Sequence, residues 1–407
     1  MNSVFLKFAK VVSLSLLAIL FFCASCSQSV KKRGNDGIPT IDIISNLSKT
    51  QKVNLSVIAS KIDYCILETD KKCLIDGKNI YSSGDYFISI SRNYCYIFER
   101  KTGKFIRQIS QIGQGPEDYQ YIFNLLIGAN GHVCLLGNNQ YLFFNLDGSL
   151  SHKINTKSRR LERSIAYEDY YVVCIHNSDG NSTIRIAFLD NKSGEIVDSI
   201  PNYRYYKRTT QSLAIENDYS FHIFNNELYY FDIYCDTLYQ IKDFSLQPRY
   251  IFNTGGRTVP YESLDKGRID IREFMEGRKY DRFENYIVIN WMLEDVTFLY
   301  FTIEYRNLKY RAIYHKVENK IQIMQPVSVP DPRFIDTSTC GFENDLDGGL
   351  PFWPQQMISD KEMMCVYTAA DLMELDRSRI TDPKLKNVLN SLVEDSNPVV
   401  AIITLKD

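Results

Sequence analysis

YFISISRNYCYIFERKTGKFIRQI, residues 86–109, holds three strand-like runs and one tight turn. Tyr86–Ser91 and Tyr94–Glu99 are aromatic and β-branched, the side chains that fit a pleated, half-buried surface. Gly103 then punctuates the chain, and Phe105–Ile109 resumes the same chemistry. Working outward, the pattern returns. Gly148 sits in Phe144-Asn145-Leu146-Asp147-Gly148 and Gly194 in Leu189-Asp190-Asn191-Lys192-Ser193-Gly194, so the turn glycines are spaced 45 and 46 residues apart. Val133–Gly137, Gln140–Asn145 and Leu150–Ile154 surround the second, and Tyr170–His176, Thr183–Leu189 and Glu195–Ile200 the third.

A β module repeating every 45 residues or so is the signature of a propeller blade, because one four-stranded sheet cannot bury both faces without a neighbour on each side. Further blades read less regularly. Glu227–Phe231, Asp236–Lys242 and Arg249–Phe252 suggest a fourth, and Tyr286–Trp291, Phe298–Tyr305, Lys309–Lys316 and Lys320–Met324 a fifth. Between them, Pro260–Gly277 carries Leu264, Ile269, Ile271, Phe274 and Met275 in an imperfect helical pattern, a short helical insertion. A C-terminal helix is better marked, with Asp382 as N-cap, Pro383 in the first turn and Leu385, Val388, Leu389 and Leu392 at helical spacing. Val399–Leu405 is a last β run. Closing the ring requires it to share a blade with an N-terminal strand, either Val53–Ser56 or Ile62–Leu67.

The first 25 residues have a different character. Lys7 and Lys10 precede an apolar run, Val11–Phe22, that is followed by Ala24, Ser25 and Cys26. That is the layout of a secretory signal, and about a dozen apolar residues fall short of the roughly 20 needed to span a bilayer. Residues 1–25 read as the signal peptide, 26–50 as a lipidated N-terminus and tether, and 51–407 as the propeller. Removing Lys7 and Lys10 with the signal takes the formal charge from -2 to -4, which leaves no basic surplus for nucleic acid. Cys65, Cys73, Cys95, Cys134, Cys174, Cys235, Cys340 and Cys365 lack compact framework spacing, and several sit in apolar strands, so buried free thiols are favoured over cystines.

Cys23-Ala24-Ser25-Cys26 resembles the lipobox of bacterial lipoproteins, which implies that Cys26 carries the lipid. Ser27 after it resembles the pattern of outer-membrane lipoproteins, and without an acidic tract behind it the periplasmic face is favoured. Phe105-Ile106-Arg107-Gln108-Ile109 with Gly113-Gln114-Gly115-Pro116-Glu117-Asp118-Tyr119 resembles the FxRxI and GxGPxEY signature of six-bladed β-propeller lipoproteins of Bacteroidota, of TolB-like and NHL-like type. Asn344-Asp345-Leu346-Asp347-Gly348-Gly349 with Phe352 and Pro354 is similar to a late segment of the same family. The expectation is therefore an all-β, six-bladed propeller of four-stranded antiparallel blades.

Candidate sites are few. Gly113-Gln114-Gly115-Pro116 lacks the full phosphate-loop pattern and its helix; it reads as a tight link with Gly113 and Gly115 at positive φ and Pro116 stiffening the exit. Gly348 and Gly349, with Tyr119, likewise read as structural. Asn344, Asp345 and Asp347 are a candidate binding set: two carboxylates flanking Leu346 could face calcium, or make Asx turns. Tyr203-Arg204-Tyr205, continued by Tyr206-Lys207-Arg208, could grip a sugar or anionic glycan, or form a charged strand edge. His132, His152, His176, His222 and His315 are scattered, with no local catalytic or metal motif. The leading expectation is a noncatalytic, membrane-anchored module for an envelope protein or glycan; the alternative is a hydrolase or lyase with a metal at the propeller axis.

Overall fold

The computed structural model describes residues 37–406 apart from 92, 116, 120–121, 123–124, 128–131, 138–139, 156–163, 176, 178, 208–217, 266–281 and 329–339. Cys26 and the first 25 residues therefore lie outside the described residues, as do His176, Arg208, Pro116 and most of the expected helical insertion, of which the 3₁₀ turn Tyr261–Leu264 is described.

Six antiparallel sheets follow one another along the chain. Blade 1 is Ile80–Ser83, Tyr86–Ser91, Tyr94–Glu99 and Phe105–Ile109, from innermost to outermost strand. Blade 2 is Leu125–Ile127, Val133–Gly137, Gln140–Phe144 and Leu150–Asn155; blade 3 is Ile165–Tyr167, Tyr170–Cys174, Ile184–Asp190 and Ile196–Pro201. Blade 4 is Tyr219–Phe224, Glu227–Asp232, Thr237–Lys242 and Ser245–Asn253; blade 5 is Val288–Glu294, Phe298–Tyr305, Leu308–His315 and Lys320–Ile323. Blade 6 joins the two ends of the chain. Gln356–Ser359, Glu362–Tyr367 and Val399–Leu405 come from the C-terminal part, and Ala59–Ile66 is added as the outermost strand. Ile62 lies opposite Ile403, and Tyr64 opposite Ala401, so of the two expected partners for the last strand the second one closes the ring.

The burial pattern explains the composition. Middle strands are covered on both faces, so Phe298–Tyr305 and Ile184–Asp190 are buried almost end to end rather than alternating. Outer strands such as Ile196–Pro201 are mostly exposed. Each blade packs on the next through its own apolar cluster: Ile97 and Phe144 between blades 1 and 2, Phe143 and Val173 between 2 and 3, Phe188 and Leu228 between 3 and 4, and Phe252 and Phe301 between 4 and 5. Tyr300 meets Met363 between blades 5 and 6, and Val366 meets Phe87 between 6 and 1, so the apolar contacts run around the whole ring. At that last seam the Gln356 amide doubles as a strand partner, accepting from Ser82 N at 2.8 Å and donating to Ser82 O at 2.9 Å.

Gly103, Gly148 and Gly194 occupy equivalent turns before the outermost strand, with φ of 71°, 86° and 72°. At Gly103 a Cβ would stand 2.0 Å from the Ile66 carbonyl oxygen. Blade 4 makes the same turn with Asp243 and Phe244, and blade 5 uses Asn319, all at positive φ. The backbone requirement persists while its glycine disappears, and this is why the repeat fades in the second half of the sequence.

The propeller begins earlier than residue 51. Thr40–Asp42 pairs in parallel with Ile251–Asn253 on the rim of blade 4, burying Ile41 and Ile43. Gln51 N then donates to Ile323 O on blade 5, and Leu55 N to Glu343 O. Residues 40–66 are thus stitched to the outer edges of three successive blades, and the expected tether shortens to the residues before Thr40. All eight cysteines of the described chain are free thiols; burial pushes Cys95 and Cys365 up to about 12.

Candidate functional site

Strand order divides the connections between two faces. On one face lie the hairpins joining first to second and third to fourth strands, and these are short, such as Gly84–Asp85, Asn225–Asn226 and Asp243–Phe244. The opposite face carries the second-to-third hairpins and the links between blades. Among the described residues it holds 202–207, 254–265, 282–287, 340–355, and 368–398 with helices Ala369–Met373 and Pro383–Ser391. Asp382 caps the second helix through Lys384 N at 2.6 Å, as its sequence indicates.

Tyr203, Arg204 and Tyr205 lie on this connection face, in the link after Ile196–Pro201 rather than in a strand edge. Tyr203 is 81% and Tyr205 57% exposed, while Arg204 between them is fixed. Its guanidinium lies 5.3 Å above the Tyr261 ring, and Nη1 donates to Tyr234 O at 3.2 Å. Burial alone would lower the Arg204 pKa, but Asp232, Cys235 and Tyr239 together outweigh it and hold the group above its ordinary value. The backbone is secured as well: Asn202 Nδ2 and Asn177 Nδ2 both donate to Arg204 O. Asn177 Nδ2 also donates to the Tyr261 hydroxyl at 3.0 Å, and Tyr206 donates from its hydroxyl to Asn177 O at 2.6 Å. Tyr206 and Tyr234 each meet Tyr261 edge to face. Beneath, Arg185 Nη2 donates to Asp232 Oδ2 at 2.7 Å, with Nε on the Tyr230 hydroxyl. Two protruding phenols thus flank a cation held by a rigid base, a preorganised ledge. Sequence reading found the protruding triplet; Asn177, Tyr234 and Tyr261 carry no local signal, because they come from distant parts of the chain around blades 3 and 4.

The other candidates serve the architecture. Asp345 and Asp347 face different partners. Exposed Asp345 accepts from Ser56 N at 2.9 Å and from its hydroxyl at 2.5 Å, whereas buried Asp347 accepts from Gly349 N at 2.8 Å. Burial raises the Asp347 pKa, in part offset by hydrogen bonds from Gly349, Tyr64 and Asn344. Asn344 Nδ2 reaches the Tyr64 hydroxyl at 3.4 Å, so this motif ties the N-terminal strand to the C-terminal region. Gly348 has φ +81° and stands against the Arg379 carbonyl, while a Cβ on Gly349 would be 2.6 Å from the Tyr64 hydroxyl. The two carboxylates thus take different partners, Ser56 for Asp345 and the Gly349 amide for Asp347.

At Gly113 and Gly115 the expectation of positive φ fails. Space is the requirement instead: Asp118 folds back so that Oδ2 accepts from Gly115 N at 2.7 Å, and a Cβ on Gly113 would lie 2.2 Å from that oxygen. The short Asp118 side chain thereby caps its own loop. Tyr119 is buried between blades 1 and 2 and donates to Asn93 O at 2.6 Å.

Two features escaped sequence reading. Glu294, fully buried between blades 4 and 5, accepts from Arg249 at 2.9 and 2.6 Å and from Lys316 at 2.9 Å, and faces His222 Nε2 at 3.3 Å. On the hairpin face a cavity of about 1040 Å³ is lined by Asp42, Ile58, Val296, Phe298, His315 and Lys361, among others. Among the described residues, no three His, Cys, Asp or Glu side chains come together to hold a metal, and no helix is long and apolar enough to cross a membrane.

The fold defines a six-bladed β-propeller. Residues 38–404 match the family model described as a domain of unknown function, DUF4934, and the chain belongs to that family. It is similar to a protein of Bacteroides fragilis named as exported, at 16% identity over 90% of this chain and 100% of that one, with a TM-score of 0.67. It is also similar to a member of the DUF4221 family from Bacteroides vulgatus, at 11% identity over 86% and 97%, with a TM-score of 0.51. At these identities the likeness shows the fold. Comparison with curated proteins finds no match.

Proposed function

We propose that this protein is a noncatalytic binding propeller, tethered to the outer membrane by a lipid on Cys26, that offers its connection face to a glycan or protein partner of the cell envelope. The ledge of Tyr203, Arg204 and Tyr205 carries the reading. Large rigid aromatic groups beside an anchored cation bury area at little entropic cost, the usual make-up of a recognition hot spot. The signal-like first 25 residues and Ser27 support the location, and residues 27–39 form the tether.

Glycan panels and cross-linking in intact envelopes test both halves. Replacing Tyr203 and Tyr205 by Ser should weaken binding about 30-fold or more, as expected for hot-spot aromatics; replacing Val296 and Val317, exposed on the hairpin face, should leave it unchanged. Equal binding by both variants would overturn the assignment of the ledge. In the same cells Cys26→Ala should move the chain to the soluble fraction, and a variant still in the membrane pellet would contradict the anchor. Capture of a sugar and capture of a protein distinguish the two partner classes.

A further inference from the structure

Lys320–Ile323 is the outermost strand of blade 5, so one of its edges is open to a further strand. The pairing fixes which groups point that way. Met324 N donates to Arg311 O at 2.8 Å, and the register runs on through Gln322 opposite Ile313 and Lys320 opposite His315. Bonded and non-bonded positions alternate in an antiparallel pair, so residues 320 and 322 spend their backbone groups on the neighbouring strand, whereas Ile321 and Ile323 turn theirs outward. Gln51 agrees with this direction: its N–H donates to Ile323 O at 3.0 Å, and its carbonyl accepts from Gln325 N at 3.2 Å. Ile321 is left over. Among the described residues no group meets its N–H or C=O on the outer side.

That edge borders a cavity. The volume of about 1040 Å³ is lined by Ile321 and Gln322, by Gln51, and by the apolar Val57, Ile58 and Phe298, and it has the size of a ligand pocket. Several charged side chains around it are engaged within this chain. Lys320 pairs with Glu318 at 3.2 Å, Lys406 Nζ donates to Ser56 O, and Asp42 Oδ1 accepts from Asn253 Nδ2 at 2.9 Å. An uncharged ligand with both hydrogen-bonding and apolar parts fits such walls. The protein also shows what these rims hold: Thr40–Asp42 is an added parallel strand on blade 4, and Gln51 makes a single parallel bridge to Met324 on blade 5. In strand addition the main-chain hydrogen bonds give affinity, and pockets for alternate side chains give selectivity.

We infer that the open edge at Ile321 is a docking groove for an extended, uncharged polypeptide segment of a partner, which adds a strand to blade 5 beside Gln51. It is separate from the ledge and does not rest on it. The test uses the full chain and dye-labelled, capped heptapeptides that alternate Val, Ile or Leu with Thr, Ser or Gln, in an ordinary pool and in a pool N-methylated at every amide. The ordinary pool should bind saturably by fluorescence anisotropy and slow amide exchange at Ile321; the methylated pool, which cannot donate, should bind about tenfold more weakly or worse. Ile321→Pro removes the outward N–H and leaves the ladder intact, since an edge strand tolerates proline where its N–H faces away from the sheet. Ile321→Ala trims the side chain and keeps the N–H, so the proline variant should bind the ordinary pool about tenfold more weakly than the alanine variant. No saturable binding, equal binding of the two pools, or equal affinity of the two variants overturns the groove. So does binding of maltoheptaose in place of peptide, which would assign a sugar. If Ile321→Pro does not fold, exchange at the Ile321 amide of the wild type decides: a rate unchanged by the ordinary pool overturns the groove.

Discussion

A chain ending at Pro398 should fail to fold as a ring and lose the cooperative thermal transition of the intact protein. Val399–Leu405 is the strand between Glu362–Tyr367 and Ala59–Ile66, so its loss leaves the N-terminal strand without a sheet. Val399, Val400, Ala401 and Ile403 are all fully buried, and they serve both seams of blade 6. At about 1.5–3 kcal/mol for each large apolar side chain, the valines and the isoleucine contribute roughly 5–9 kcal/mol, comparable with the whole stability of a typical domain, about 5–15 kcal/mol. Circular dichroism melting checks this; a truncated chain that melts like the intact one would show that the seam contributes little.

The second large effect belongs to Glu294. Replacing it by Ala leaves the charges of Arg249 and Lys316 around a buried void with no counter-charge, and removing one partner of a buried ion pair costs about 3–5 kcal/mol. Arg249 has little freedom to swing into water, because its guanidinium is packed 4.1 Å over the Tyr229 ring. Urea denaturation measures the loss, and a change under about 1 kcal/mol would place the group among ordinary surface pairs. The same carboxylate gives a pH dependence. Burial alone would raise its pKa, but the hydrogen bond and charge of His222, with the charges of Arg249 and Lys316, more than offset that, and the folded value lies below the ordinary 4.5. The folded chain therefore binds the proton less readily than the unfolded chain. The contribution is complete above the unfolded value, declines below pH 4.5 and is gone once the pH has passed through the folded value. Glu294→Ala should flatten this part of the acid limb.

Blades 1–3 were legible because Gly103, Gly148 and Gly194 mark one turn at nearly constant spacing, and because both middle strands of each blade are apolar runs. Innermost strands such as Leu125–Ile127 and Ile165–Tyr167 are three residues long, too short to stand out from a link. Thr40–Asp42 was absorbed into the expected tether because its pairing is parallel, with a strand some 200 residues away. The site divides along the same line. A Tyr-Arg-Tyr run declares itself locally, whereas its support by Asn177, Tyr234 and Tyr261 depends on the ring bringing blades 3 and 4 together. Glu294 and its three partners were equally silent: residues 222, 249, 294 and 316 are ordinary polar positions until two blades enclose them. In Asn344-Asp345-Leu346-Asp347 the spacing alone left the partners open, because Ser56 and Tyr64 come from the N-terminal segment, some 290 residues away.

Closure of the ring by strands from opposite ends of the chain is tested most directly by a cross-link. Asp63 and Ile402 are paired across the seam strands and both are partly exposed, while the native thiols among the described residues are buried or half-buried. With Asp63→Cys and Ile402→Cys in the full chain, mild oxidation should join the two positions in the native state and raise the melting temperature. A folded protein that does not form this bond would contradict the closed ring.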